Sequence, residues 1–471
     1  MDLDSLVRSL GRESTLAVRS SEQVVTEVLR YAKEKAKDYE AYRYGKTPSP
    51  VRIGPAVRTS PAQVLHEVGV ATTFLTASPL AQVARHWAHV RYCATLTARD
   101  GCLALSRHAG NVVHHHKVAQ SEQLGIGLAL VVAKAVLRRQ YPDWDFHAVD
   151  AEVALKAGFI DGVGAVDTTS RTKKRPDYIL LGHHSSGRRS GVKIVILECK
   201  GTHQPPSFAY GQLARAAVQV DALRVAGRSQ PALMVALCLT GSRITSYVLD
   251  PPGDDELWSG ADDDLDELLR ASPDDQDWQP RPAAPDEARA LEVPTDGAPP
   301  ATDAEVPPAE ELPPGAPDVF DIPAERRGWF TQILTRAVAA TTLLFAGDNG
   351  AARGYATPRQ RGEPAAPAQA ALFEPDLPWA SSTAQTVRLR NGLRAEGTRY
   401  YAPLPGGRAL EVFRGVESDL YRHLAEGRIG PYLRAAPGIF RRWSDVRPPG
   451  EVFSLGRDGT ILVVRATDGQ G

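Results

Sequence analysis

The sequence lacks the long apolar runs and the paired cysteines that would indicate a membrane protein or a disulfide-rich secreted protein. No run of about 18 uninterrupted apolar residues is present, and the N-terminal stretch MDLDSLVRSLGRES has no apolar signal-peptide core. The four cysteines lie far apart and form no Cys-x-x-Cys pair, which argues against a structural zinc site and a disulfide framework. We therefore expect a soluble, cytoplasmic protein that does not act on a membrane.

Positive charge is almost missing from one segment of the chain. Residues 251–322 contain 14 Asp and 7 Glu against 3 Arg and no Lys, a net charge of −18, whereas the whole chain is at −1. The rest of the chain therefore carries a net charge of +17. A basic protein body is typical of proteins that bind a polyanion, most often nucleic acid, so DNA is the expected partner.

The acidic segment also divides the chain into domains. Because residues 251–322 are rich in Pro, Ala, Asp and Glu, they cannot bury enough apolar surface to fold, and we predict a disordered linker there. We predict three folded parts in this α/β multidomain chain: a mainly helical accessory region at 1–110, an α/β domain at 111–250, and an Arg-rich, β-rich α+β domain at 323–471.

Hydrophobic patterns predict the elements of each part. Helical stretches are expected at 3–44 and 61–92, followed by a hairpin about Asp100-Gly101. In the middle part the expected order is α-β-β-β-α-β, beginning with a helix from Ser121 to about Gln140. The predicted strands lie in WDFHAVDAEVAL (144–155), DYILLG, KIVILEC, ALMVALCLT and ITSYVLD. The second predicted helix lies in SFAYGQLARAAVQVDALRVA, between the third and fourth of these strands. In the last part a helix at 324–346 should precede hairpins at Asn391-Gly392, Gly406-Gly407 and Asp458-Gly459.

Three charged residues lie at the ends of two apolar strands in the middle part. Asp177 begins DYILLG, and Glu198 and Lys200 end KIVILECK. If the strands are antiparallel, the midpoint of 177 and 198 is 187.5, inside the polar loop between them, so the two acids become cross-strand neighbours with Cβ atoms about 5 Å apart. Alternation along the strand then places Lys200 on the face of Glu198 and Cys199 on the opposite face.

This set of side chains is suited to phosphodiester hydrolysis. Carboxylate oxygens hold Mg²⁺, the ion lowers the pKa of water, and a lysine orients that water or neutralises developing charge. The alternative is a surface ion pair of Asp177 and Lys200 with no catalytic role.

The motif Pro176-Asp177 followed by Glu198-Cys199-Lys200 resembles the PD-(D/E)XK nuclease superfamily, over residues of about 110–250. That resemblance implies a restriction-endonuclease-like αβββαβ core and a metal-dependent endonuclease that hydrolyses DNA. It implies Mg²⁺ as cofactor, with Mn²⁺ able to replace it, and a role in genome defence, such as restriction or antiphage activity, or in DNA repair. Asp177, Glu198 and Lys200 would be catalytic, with both acids on the metal.

The resemblance also suggests supporting residues. Glu122 matches an acid that the first helix of many members adds to the metal shell, and Gln212 matches a glutamine on the second helix. The fuller Gln-x-x-x-Tyr pattern of one branch is absent, because residue 216 is Ala. Asp150 and Glu152 are alternative third acids, and an acid in a first helical turn is also favoured by the helix dipole alone.

Basic residues flank the motif and could contact phosphates, although a solvated charged loop fits them equally well. These predicted nucleic-acid-binding residues are Lys173, Lys174, Arg175, Arg188 and Arg189. Two other functions stay open: a nucleic-acid-binding or complex-assembly protein that keeps the fold without catalysis, and an RNA nuclease. The C-terminal part could recognise DNA, bind a partner or inhibit the site, and the partner could be a second copy of the chain or a protein of a defence complex.

Overall fold

The computed structural model describes residues 2–75, 81–109, 112–155, 175–184, 192–253, 320–322, 324, 327–357, 360 and 384–468. The described chain is mixed α/β, with helices and several sheets. The helices are α1 (Leu3–Leu10), α2 (Glu22–Lys35), α3 (Pro61–Ala71), α4 (Ala81–Tyr92), α5 (His114–Gln140), α6 (Ala151–Leu155), α7 (Pro206–Gln219), α8 (Arg327–Ala346), α9 (Asn349–Tyr355), α10 (Ser418–Ala425) and α11 (Ile429–Trp443). The strands are β1 (Ser14–Arg19), β2 (Ala56–Thr59), β3 (Leu96–Arg99), β4 (Cys102–Leu105), β5 (Trp144–Asp150), β6 (Tyr178–His184), β7 (Val192–Thr202), β8 (Leu223–Val225), β9 (Arg228–Ser229), β10 (Ala232–Cys238), β11 (Thr245–Leu249), β12 (Phe320–Ile322), β13 (Gln385–Arg388), β14 (Arg394–Leu404), β15 (Arg408–Glu417), β16 (Glu451–Leu455) and β17 (Thr460–Asp468).

A nine-stranded sheet forms the centre of the described chain. Its order is β3-β4-β1-β11-β10-β7-β6-β5, and β2 pairs with β1. The strands β5, β6 and β7 are antiparallel neighbours, and β10 lies parallel to β7. Side chains of β7 alternate between two apolar clusters: Leu197 and Cys199 pack with α5, whereas Ile196 packs with α7. The main elements of the middle part therefore follow the predicted order, and Cys199 lies on the predicted face.

Strands from both sides of the predicted boundary at residue 110 belong to this one sheet. The segment STLAVR, in a stretch predicted to be helical, forms β1 and pairs in parallel with β11, with Ala17 opposite Thr245. Alternating burial explains the strand, because Leu16 and Val18 enter the core whereas Arg19 is exposed. The predicted hairpin about Asp100-Gly101 is confirmed as β3 and β4.

The helix α5 begins seven residues earlier than predicted, at His114 rather than Ser121. Ser121 does not cap a helix there, because its hydroxyl donates to the carbonyl of Val118 at 2.9 Å, within the helix. Glu122 therefore does not lie in the first turn. Among the described helices, α5 is the one long and apolar enough to cross a membrane by length and composition, and 72% of the 18-residue apolar stretch within it is buried inside the protein.

Three short elements also differ from the predictions. Residues 151–155, predicted as the end of a strand, form α6. The last three residues of the predicted linker form β12, which pairs in parallel with β8, with Asp321 opposite Arg224. β8 itself lies in a stretch predicted to be helical. The linker residues 254–319 lie outside the described residues.

The C-terminal part forms an antiparallel sheet of order β13-β14-β15-β17-β16. The predicted helix is present as α8, and hairpins turn at the three predicted dipeptides, where Gly392, Gly407 and Gly459 have positive φ of 90°, 75° and 78°. This sheet packs on the central core: Val412 belongs to the same apolar cluster as Leu128 of α5. Ion pairs reinforce the contact, and Arg457 lies 2.6 Å from Asp145 of β5.

Candidate functional site

The pairing of β6 with β7 brings the predicted acids together. Tyr178 lies opposite Leu197, so the next step of the ladder places Asp177 opposite Glu198. This is the register that the midpoint at 187.5 predicts. The prediction that the two acids are cross-strand neighbours is therefore confirmed.

Direct contacts join Asp177, Glu198 and Lys200. The backbone N–H of Asp177 donates to Oε2 of Glu198 at 3.0 Å, and the N–H of Cys199 donates to Oδ2 of Asp177 at 2.7 Å. The Nζ of Lys200 lies 2.5 Å from Oε1 of Glu198. Each carboxylate is thus fixed by the backbone of the opposite strand, and both carboxylates and the ammonium converge at one end of the strand pair.

Burial makes the electrostatics of this trio unusual. The Glu198 side chain is 0% exposed and that of Lys200 is 26% exposed. Burial raises the pKa of Glu198 to about 8, and the charge of Asp177 adds to the increase. Burial likewise raises the pKa of Asp177. Although burial acts to lower the pKa of Lys200, the carboxylates of Glu198 and Asp177 raise it, so the lysine stays charged.

The raised pKa of Glu198 predicts a pH-dependent stability for the metal-free protein. The folded state holds a proton on Glu198 up to about pH 8, whereas the unfolded chain releases it near 4.5, so stability falls as pH rises between these values. We expect the melting temperature in EDTA to fall more steeply from about pH 5 to about pH 9 in the wild type than in Glu198→Gln. Parallel curves would contradict this prediction, and thermal melts across the pH range would measure it.

Two further side chains border the trio. The Nε2 of Gln212, on α7, donates to the carbonyl of Gly201 at 3.3 Å, beside Lys200. The Oε1 of Gln212 is buried and has no hydrogen-bond partner among the described residues. Asp150 ends β5 opposite Tyr178, and burial raises its pKa, with smaller contributions from the charge of Glu152 and then from that of Asp177. Gln212 therefore lies where the second helix approaches the site.

The other predicted site residues do not join the trio. Glu122 is exposed on α5, and among the described residues it forms no hydrogen bond or ion pair with Asp177, Glu198 or Lys200. Arg175 pairs instead with Glu152, at 3.3 Å. The remaining predicted phosphate-contacting residues, Lys173, Lys174, Arg188 and Arg189, lie outside the described residues.

The donor set of this site fits a hard divalent cation. Mg²⁺ binds through one or two carboxylates together with water and substrate oxygens, and Asp177 and Glu198 are two such carboxylates. A cation would also relieve the repulsion that helps to raise the pKa of Glu198. In the part of the chain that the structure describes, no group of three or more His, Cys, Asp or Glu side chains could hold a metal ion. A third protein carboxylate is therefore not assigned.

The structure adds a glycine contact that the motif did not reveal. A Cβ built on Gly201 would lie 1.9 Å from the carbonyl oxygen of Ser121, and one on Gly125 would lie 3.2 Å from the Gly201 backbone. The helix α5 can therefore cross the end of β7 this closely because Gly201 lacks a side chain, and a Cβ on Gly125 would add a second tight contact. A glycine directly after Lys200 was the available signal, because a glycine inside a strand often marks close backbone approach.

Comparison with family models, with curated proteins and with solved structures finds no match to this chain. The functional interpretation of the site therefore rests on its geometry.

Proposed function

We propose that the protein is a cytoplasmic, Mg²⁺-dependent endonuclease of the PD-(D/E)XK type, with a restriction-endonuclease-like core, that hydrolyses DNA. The observation that carries the proposal is the convergence of Asp177 and Glu198 with the Lys200 ammonium 2.5 Å from Glu198. The element order around these residues and the basic charge of the chain outside the acidic segment support it. Genome defence or DNA repair is the role that we propose for such an activity.

Each residue of the trio has a distinct task in this proposal. Asp177 and Glu198 would hold Mg²⁺, which supplies a Lewis acid for the phosphate and lowers the pKa of water when bound. Lys200, held charged by both carboxylates, positions the attacking water and stabilises negative charge on the phosphate oxygens. Gln212 adds a buried amide oxygen beside Lys200 that can accept a hydrogen bond.

One observation favours a second candidate, a nucleic-acid-binding or assembly protein without catalysis. Glu198 is fully buried and directly paired with Lys200, as a structural ion pair would be. In that case DNA binding would not depend on Glu198, and no metal would be needed.

An assay of several polymers tests both candidates. The full-length protein should cut circular DNA in Mg²⁺ or Mn²⁺ and not in EDTA, because the carboxylates act through the metal. Linear and single-stranded DNA and RNA complete the set. Cleavage of RNA alone would change the substrate to RNA, and salt-sensitive DNA binding without cleavage in any metal would favour the second candidate.

A further inference from the structure

A cleft of about 460 Å³ opens beside the candidate site, on the α5 side of the sheet. Its walls are the segment after α3, the ends of β5 and β6, and the small side chains of α8 such as Ala340 and Thr341. This volume lies within the range of about 300–1,000 Å³ that is usual for small-molecule pockets. The cleft is therefore large enough for one planar heterocycle with its sugar.

The cleft is continuous with the strand ends that carry the acids. Tyr178, the residue after Asp177, and Asp150, its cross-strand partner, both line it. The N–H of Ala151, the residue after Asp150, donates to the carbonyl of Asp177 at 3.1 Å. The cleft therefore adjoins the start of β6, which Asp177 directly precedes, although Asp177, Glu198 and Lys200 are not among its described lining residues.

The chemistry of the lining selects a base and not a phosphate. The described lining residues include the acids Asp150 and Glu152, of which Glu152 pairs with Arg175, but no Lys or Arg, so the lining offers a phosphate no cation of its own. One oxygen of Asp150 accepts the N–H of Val153 at 3.0 Å, and its carboxylate has further lone pairs for N–H donors of a ligand. Apolar residues, including Ile126 and Leu344, supply the faces against which a flat ring packs.

An exposed aromatic residue stands at the same cleft. Phe74 is 59% exposed although it is a large apolar side chain, and it lines the cleft. An exposed aromatic face beside a polymer-cutting site is typical of surfaces on which bases stack.

We infer that the cleft binds one unpaired base of the substrate strand, next to the phosphate held by Asp177 and Glu198. The inference rests on the proposed nuclease function and deepens it: the substrate is a strand with an unpaired base at the cut, as in single-stranded DNA, a flap or a flipped nucleotide. A base reaches the cleft at lowest cost where it is already unpaired.

Cleavage of two substrates by the wild-type full-length protein and by two variants tests this inference. The substrates are a single-stranded oligonucleotide and the same strand with abasic analogues at its central positions, and the variants are Phe74→Ala and Thr341→Trp. Wild type should cut the abasic strand about tenfold more slowly, because base stacking is lost. Each variant should cut the normal strand more slowly by a similar factor and show no further loss on the abasic strand.

The controls separate this inference from the proposed function. Trp87→Ala removes another exposed aromatic, 53% exposed and outside the cleft lining, and should cut both strands like wild type. Phe74→Ala alters an exposed side chain, so it keeps the test valid if Thr341→Trp fails to fold. Equal cleavage of both strands by wild type, or unchanged cleavage by Phe74→Ala, would overturn the base-binding cleft and leave the nuclease intact. No metal-dependent cleavage of any polymer would overturn both.

Discussion

Replacing Glu198 by Gln should reduce DNA cleavage by at least about a thousandfold while DNA binding is retained. The substitution keeps the shape of the buried side chain but removes the charge that would hold the metal beside Asp177. Loss of one fixed electrostatic partner of the transition state commonly costs about a hundred- to a thousandfold, and loss of the metal costs more. Single-turnover cleavage and DNA binding, both at one salt concentration, would measure the two effects separately.

A second buried acid provides the matched control. Glu451 lies in the C-terminal sheet, is fully buried as a side chain, and pairs with Arg465 at 3.6 Å. Glu451→Gln should cost stability of the same kind but leave the cleavage rate of folded protein within about threefold of wild type. If Glu198→Gln cuts DNA as fast as Glu451→Gln does, the metal-carboxylate role of Glu198 is wrong.

The position of the acids could be predicted because the information was local. Two apolar runs joined by one polar loop fix a hairpin, and a hairpin fixes its register, so Asp177 and Glu198 had to meet. The same argument placed Cys199 on the face opposite Glu198. The hairpins of the C-terminal sheet were predictable for a similar reason, since glycines with positive φ at Gly392 and Gly459 mark their turns.

Long-range pairing could not be predicted in this way. The strand β1 was hidden because its partner β11 lies more than two hundred residues later, and the helix formers on both sides of STLAVR dominate its local pattern. The cleft beside Tyr178 depends on α8, which no local pattern places there. Ser121 was misleading for a different reason, because a serine can bond back within a helix as well as cap one.

The helix α5 and the site on β7 are coupled by the glycine contact, and this coupling leads to the largest expected effect on stability. Gly201→Ala places a methyl group where the carbonyl oxygen of Ser121 would be 1.9 Å away, so the helix or the strand end must move. Backbone atoms cannot rotate aside as a side chain can, so we expect the upper end of the overpacking range, a loss of about 3 kcal/mol in the free energy of unfolding. Urea denaturation would measure it.

The same substitution at Gly241 separates steric conflict from loss of glycine itself. A Cβ on Gly241 meets nothing within 4 Å, so Gly241→Ala should leave the free energy of unfolding within about 1 kcal/mol of wild type. Because Lys200 directly precedes Gly201, displacement of the strand end in Gly201→Ala should also reduce cleavage by protein that remains folded, whereas Gly241→Ala should cut DNA normally. Equal stability of the two variants would mean that α5 can move away from β7 at little cost, and the close crossing would then not position the site.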